Sequence, residues 1–127
     1  MLHSPDTTYS SVIWHESHVC TSVRFAIRRM SLLQRIEITK RVRELTRQND
    51  FLRSGDTTEQ LDAVLGELLA KQVYIEWGLS EVQGLTIDGV PASPAVLVEK
   101  GPESLAEEII AAILSELHLT DEERKNF

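Results

Sequence analysis

The stretch of residues 57–77 constrains the fold more than any other part of the chain. Thr57, followed three positions later by Gln60, matches the capping-box pattern that begins many helices. The apolar side chains that follow recur at steps of three and four, so they share one side of a helix. They are Leu61, Leu65, Leu68, Leu69, Val73 and Trp77, and Val64, Tyr74 and Ile75 widen the apolar side further. Such a wide apolar surface predicts a helix that is central to the fold or shared with another chain.

Two turn signals follow this helix. Gly78 comes directly after Trp77, and glycine at this position is typical of a left-handed helix cap. The pair Asp88-Gly89 then separates two short apolar runs and is typical of a type I′ turn. The sequence therefore predicts that the helix ends at Gly78 and is followed by a small β-hairpin over residues 85–91.

The N-terminal part predicts a flexible leader and a first hairpin. Residues 1–10 are mostly Pro, Thr, Ser and Asp, with little to bury, and we expect them to precede a single domain formed by residues 11–127. Residues 12–14 are apolar, and residues 23–28 alternate in the manner of a half-buried strand. We expect Val23, Phe25 and Ile27 to point inward, and residues 15–22 to form the loop.

A second long helix is predicted over residues 31–53. Ser31 and Gln34 match the capping-box pattern, and no helix-breaking residue appears before Gly55. The connection at residues 54–56 is short, which favours an antiparallel pair of long helices.

Two further helices are expected at the C-terminal end. Ser93-Pro94 begins a short one, and a longer one covers residues 103–118, with a final turn at 119–124. Four glutamates of the longer helix are expected to face water: Glu103, Glu107, Glu108 and Glu116. The predicted fold class is α+β and mainly α, with an N-terminal β-hairpin, two long antiparallel helices, a small second hairpin and C-terminal helices.

Charge divides the chain into two unlike parts. The first 53 residues contain nine Lys/Arg and five Asp/Glu, a balance of +4, whereas the rest contain four and fifteen, a balance of −11. Such polarity favours head-to-tail association of copies, or docking of different partners on the two parts. The alternative is that both parts are ordinary solvated surfaces of one fold.

Basic residues of the first long helix raise the question of nucleic-acid binding. The basic face would consist of Arg35, Arg41, Arg43 and Arg47. The net charge of −7 opposes phosphate binding, and no helix-turn-helix, zinc finger or aromatic platform is evident. A small nucleic-acid-binding regulator is therefore the second hypothesis for this chain.

The sequence lacks the patterns that indicate catalysis. No glycine-rich phosphate loop or nucleophile elbow is present, and we expect a protein without catalytic residues, cofactor or metal. His15, His18 and Cys20 are spaced as metal ligands could be, but no second cluster would complete a site, and polar loop residues explain them better. A single cysteine and the absence of a signal peptide or a long apolar run predict a cytoplasmic protein.

Several short segments together resemble a known family. They are residues 23–31 (VRFAIRRMS), which lead into the Arg-rich helix, 74–79 (YIEWGL), 84–89 (GLTIDG), 91–92 (PA), 101–105 (GPESL) and 122–126 (EERKN). This pattern, spread over residues 12–126, resembles the small tail assembly chaperones of long-tailed bacteriophages and prophages.

The resemblance implies a function in virion assembly inside the bacterial host. Such chaperones bind the long, helical tape measure protein, recruit tail tube subunits and are absent from the mature virion. We expect the apolar helix to supply the contacts, through Leu65, Leu69, Val73, Tyr74 and Trp77, unless these side chains fill the core. Many members also have a longer form made by ribosomal frameshifting, and Lys125-Asn126 is a dipeptide that a slippery AAAAAAC heptamer encodes.

Overall fold

The computed structural model describes residues 8–52 and 59–125, with side chains for residues 8–47, 61 and 63–117. The described part is a mainly helical α+β fold, as predicted. Its core lies between one face of a small sheet and the helices packed on it. Residues 1–7, 53–58 and 126–127 lie outside the described residues. The predicted connection at 54–56, the predicted cap at Thr57 and residue Asn126 of the Lys125-Asn126 pair therefore also lie outside them.

Three antiparallel strands form the main sheet. Strands β1 (Val12–Glu16) and β2 (Arg24–Arg28) make the predicted hairpin, with Trp14 opposite Ala26. The third strand, β3 (Leu79–Gln83), pairs with the other edge of β2 and was not predicted. The segment after the apolar helix is therefore part of the sheet rather than a loop.

The two long helices pack against each other in opposite directions. Helix α1 (Leu32–Leu52) follows β2, and helix α2 (Glu59–Gly78) leads directly into β3. The Gln34 side-chain amide, near the start of α1, donates a hydrogen bond to the Trp77 carbonyl oxygen at the end of α2. The start of α1 therefore lies beside the end of α2, which confirms the antiparallel prediction.

The smaller elements confirm most of the predicted turn chemistry. Strands β4 (Thr86–Ile87) and β5 (Val90–Pro91) form the second hairpin, and both Asp88 and Gly89 have positive φ, as a type I′ turn requires. Helix α3 (Pro94–Lys100) is capped by Ser93, whose Oγ accepts from the Val96 N–H at 3.2 Å. Helix α4 (Glu103–Lys125) continues past the predicted break after residue 118.

The core forms where α4 and the end of α2 cover one face of the sheet. Val23, Phe25 and Ile27 are buried there, as their alternation predicts. They meet side chains from β3, α3 and α4, namely Leu79, Val82, Leu97, Leu105, Ile109 and Ile113. On the opposite face of the sheet the Arg24 guanidinium lies 4.8 Å from the centre of the Trp14 ring.

Gly78 has a different role from the predicted one. Its φ is not positive, so it is not a left-handed cap; it is the last residue of α2 and is buried. A Cβ atom at this position would lie 2.8 Å from Cδ1 of Ile113 on α4. Glycine is needed here because α2 and α4 approach too closely for a side chain.

The prediction that Glu108 faces water is wrong: its side chain is partly buried and hydrogen-bonded. Its Oε1 accepts from the Ser17 hydroxyl at 2.6 Å and its Oε2 from the His18 N–H at 2.7 Å, so α4 holds the β1–β2 loop. Partial burial acts to raise the pKa of this carboxyl, but the hydrogen bonds from Ser17, His18 and Val19 prevail and lower it.

The last residues of the predicted leader also make contacts, since the Arg29 guanidinium lies 5.4 Å from the Tyr9 ring centre.

Candidate functional site

One side of α2 is buried at its C-terminal end and exposed at its N-terminal end. Ile75 is 3% exposed and packs in the core with Leu97 and Ile110. Leu68, Val64 and Leu61 precede it by seven, eleven and fourteen residues, which places all four on the same side of the helix. Leu61 is nevertheless 71% exposed, and Val64, Leu65 and Leu68 are each about half exposed. We call these four exposed residues the α2 stripe: Leu61, Val64, Leu65 and Leu68.

The α2 stripe exists because α2 is longer than the body it packs on. Helix α2 packs along α1 and also contacts α3, α4 and the sheet, and on the side of the stripe burial is reached only toward its C-terminal end, at Ile75. The helix side that faces the core at Ile75 therefore continues toward the N-terminus with apolar side chains that are half or more exposed. Contiguous exposed apolar surface of this kind is typical of an interaction site.

A cavity of about 490 Å³ continues the α2 stripe toward the body. We call it the α2–α4 notch. It begins at Leu68 and is lined by Val98 and Leu97 of α3 and by Ala106 and Ile110 of α4. Its volume is in the range of protein pockets that hold small ligands, so it has room for apolar side chains of a partner.

The rim of the α2–α4 notch is charged. Lys71 Nζ lies 2.7 Å from Glu107 Oε1. This hydrogen bond is the main cause of a raised pKa for the Lys71 amine, and the carboxylates of Glu107, Glu67 and Glu103 add to it. An apolar strip with a polar rim suits an amphipathic helix, whose apolar face would lie on the stripe while its polar face stays in water.

No family model, curated protein or solved structure matches this chain.

The predicted contact residues fall into two groups. Leu65 belongs to the exposed α2 stripe. Trp77 faces α1, where the Arg41 guanidinium lies 5.9 Å from the centre of its ring. Val73 and Leu69, four and eight residues earlier, lie on the same side as Trp77 and are only partly exposed. Tyr74 is half-buried between α1 and α4, and this burial raises the pKa of its hydroxyl.

Sequence reasoning missed three residues of the exposed site. The sequence identifies Leu61, Val64 and Leu68 as apolar residues of the helix, but the predicted contacts do not include them. Their spacing from Ile75 gives the shared side, so the signal was present in part. Spacing does not show where the body ends, and that boundary decides which residues are exposed.

The predicted basic face of α1 is partly used within the fold. Arg35 donates to the Leu117 carbonyl oxygen at 3.4 Å, and Arg41 lies over Trp77. Arg43 and Arg47 are exposed beside Lys40, in a surface depression that Glu37 and Glu44 also line. The four predicted arginines therefore do not form one free surface.

A third concave surface, the α1–α4 groove, lies between α1, the end of α2 and α4. Its volume is about 520 Å³. The apolar part consists of Ile38, Val42, Tyr74, Leu114 and Leu117, and Arg35, Thr39 and Arg43 line its α1 side. The groove thus combines an apolar floor with a cationic edge.

Neither a metal cluster nor a membrane span is found in the described chain. His15 stacks on Phe25, with ring centres 5.4 Å apart, and His18 gives its backbone N–H to Glu108. Across residues 8–52 and 59–125, no group of three or more His, Cys, Asp or Glu side chains is arranged to hold a metal ion. Over those same ranges, none of the helices combines the length and the apolar character needed to cross a membrane.

Proposed function

We propose that this chain is a tail assembly chaperone of a long-tailed bacteriophage or prophage and that it binds the tape measure protein. The α2 stripe and the α2–α4 notch would receive amphipathic helices of that client. In this proposal the chaperone also helps to recruit tail tube subunits, through a longer frameshifted form, and leaves before the virion is complete.

The exposed α2 stripe is the observation that carries the proposal. Four neighbouring apolar side chains, spaced for one side of a helix, project beyond the body. A chaperone for a long helical client needs such a surface, because the client's apolar faces would otherwise associate with one another. The sequence resemblance over residues 12–126 supports the identity of the client.

Nucleic-acid binding, the second hypothesis, gains less support. Arg35 and Arg41 are already held by Leu117 and Trp77, and the chain carries a net charge of −7. A phosphate backbone would meet a mostly acidic protein with few free cations on the predicted face.

Co-expression with the tape measure protein encoded in the same tail gene block tests the proposal. We expect the two proteins to purify together and Leu65→Asp to abolish the association, because it places a charge in the centre of the α2 stripe. Leu33→Asp is the matched control: Leu33 is also an exposed leucine, 67% against 51% for Leu65, but it lies on α1, away from the stripe.

Two results would count against the proposal. One is a tape measure protein that stays soluble and never purifies with the wild-type chain. The other is equal loss of association in Leu33→Asp and Leu65→Asp, which would show that the α2 stripe has no special role. Binding to DNA or RNA that weakens steeply with salt would support the second hypothesis instead.

A further inference from the structure

The α1–α4 groove has a defined chemistry and is open to solvent, although Arg35 on its α1 side donates to the Leu117 carbonyl oxygen of α4. Ile38 is 2% exposed at its base, while Thr39 and Arg43 are open to solvent at its α1 edge. From Arg35 to Arg43 the groove follows α1 for eight residues, about 12 Å at 1.5 Å per residue. It thus offers a short apolar channel with positive charge along one side.

The exposed apolar surface continues beyond the groove along α1. Leu32 and Ile36 precede Thr39 and Arg43 at helical spacing, so the four residues share one flank of α1. Leu32 is 70% exposed and Ile36 is also exposed. A partner lying in the α1–α4 groove would cover these two side chains as well.

The N-terminal half of α2 has the opposite chemistry. Its apolar α2 stripe extends from Leu61 to Leu68, seven residues or about 10 Å, which matches the length of the groove. An acidic residue flanks it: Glu67 is exposed three positions after Val64, on one flank of the stripe. Residues 59–68 include three carboxylates and no Lys or Arg.

We propose that the α2 stripe of one copy of this chain docks into the α1–α4 groove of a second copy. Leu65 and Leu68 of the first copy would cover Ile38 and Val42 of the second. Glu67 would then approach the cationic edge at Arg43. Apolar contact supplies the affinity, and the acidic and basic edges fix the partner and the direction.

The two surfaces lie in different places on the chain, so the association is heterologous. Each copy would present one stripe and one groove, and copies would assemble head to tail as a ring or an open chain. The proposal does not depend on the identity of the client. If the proposed function is also correct, self-association and client binding use the same α2 stripe and exclude each other.

A charge exchange between Arg43 and Glu67 tests the contact, since both are exposed and neither is needed for the core. We expect the mass of the wild-type protein, measured by sedimentation velocity and light scattering, to exceed that of a monomer as concentration rises. Arg43→Glu alone and Glu67→Arg alone should each weaken association about tenfold or more, because like charges then face each other.

Mixing the two variants is the decisive step. The Glu67→Arg stripe suits the Arg43→Glu groove, and the remaining unaltered stripe suits the unaltered groove, so an equimolar mixture should associate as the wild type does. Leu33→Ser is the control and should leave association unchanged, whereas Leu65→Ser should weaken it. Circular dichroism of each variant checks that the fold is retained.

Three outcomes would overturn the proposal. They are a wild-type protein that stays monomeric up to several hundred micromolar, association that neither single charge variant weakens, and a mixture that fails to recover association. None of these measurements includes the tape measure protein. Failure here therefore leaves the proposed chaperone function standing, and failure of client binding leaves this interface standing.

Discussion

The Ser17 hydroxyl donates a hydrogen bond of 2.6 Å to Oε1 of Glu108, a residue 91 positions further along the chain. This contact joins the loop of the first hairpin to α4, on the side of the sheet where the core lies. The second oxygen of the same carboxylate accepts from the backbone of His18. One ionised side chain thus orders a loop that has few apolar residues to hold it.

We expect Glu108→Gln to destabilise the fold by about 1–2 kcal/mol at pH 7, because hydrogen bonds to a charged acceptor are replaced by weaker ones. The pKa of the Glu108 carboxyl is lowered in the fold from an ordinary value of 4.5. Its contribution is therefore complete above about pH 4.5 and is lost as pH falls through the folded pKa. Urea unfolding between pH 7 and pH 3 should show this loss in the wild type and not in the variant.

Glu99→Gln provides the control for that experiment, since Glu99 is an exposed glutamate on α3. It should leave the pH dependence of unfolding as it is in the wild type. Equal pH profiles for the wild type and Glu108→Gln would show that the carboxylate does not stabilise the loop.

Gly78→Ala should cost about 1–3 kcal/mol, because the new Cβ would lie 2.8 Å from Ile113 Cδ1. Trimming the neighbour provides the check. If the clash is the cause, the double variant Gly78→Ala/Ile113→Ala should lose less stability than the sum of the losses in the two single variants. Denaturant unfolding of the wild type, both single variants and the double variant measures this difference. If the two losses of stability simply add, the contact with Ile113 is not the cause of the cost of Gly78→Ala.

Ile38→Ala should cost about 2–4 kcal/mol and loosen α1, because Ile38 is the one buried side chain among those described on this helix. Leu33→Ala, on the exposed side, should change stability by less than about 0.5 kcal/mol. Hydrogen exchange should show faster exchange across α1 in Ile38→Ala while β2 and α4 stay protected. Uniform acceleration would mean that α1 does not open separately.

Two alanine substitutions on one side of α2 should have very different effects. Ile75→Ala removes a side chain that is 3% exposed and should cost about 2–4 kcal/mol. Leu61→Ala, fourteen residues earlier, should stay within about 0.5 kcal/mol because Leu61 is 71% exposed. A large cost for Leu61→Ala would show that the start of α2 is covered in solution.

Strong local signals were enough to predict most of the fold. The alternation of Val23, Phe25 and Ile27 gave the central strand, and Asp88-Gly89 gave the second hairpin. Strand β3 was missed because its buried residues, Leu79 and Val82, are three apart rather than two. The irregular pairing opposite Ala26 and Ile27 breaks the alternation, so no period-two pattern remains to be read.

The candidate site was predictable only in part, since it depends on distances between elements. Leu61 and Ile75 look alike in sequence, and only the extent of α3 and α4 makes one exposed and the other buried. Glu108 resembles the other glutamates of α4, and its bond to Ser17 depends on a loop about ninety residues away in the chain. Local patterns carry no information about such long-range contacts.

Helix α2 ends at Gly78 and β3 begins at Leu79, with no linker between them. A rotation of the helix would therefore rotate the edge strand β3 with it. From Leu61 to Gly78 this helix is about 25 Å long. Because α2 also packs along α1, a displacement of the start of α2 would move α1 with it and would reach the β2–β3 pairing with no hinge in between.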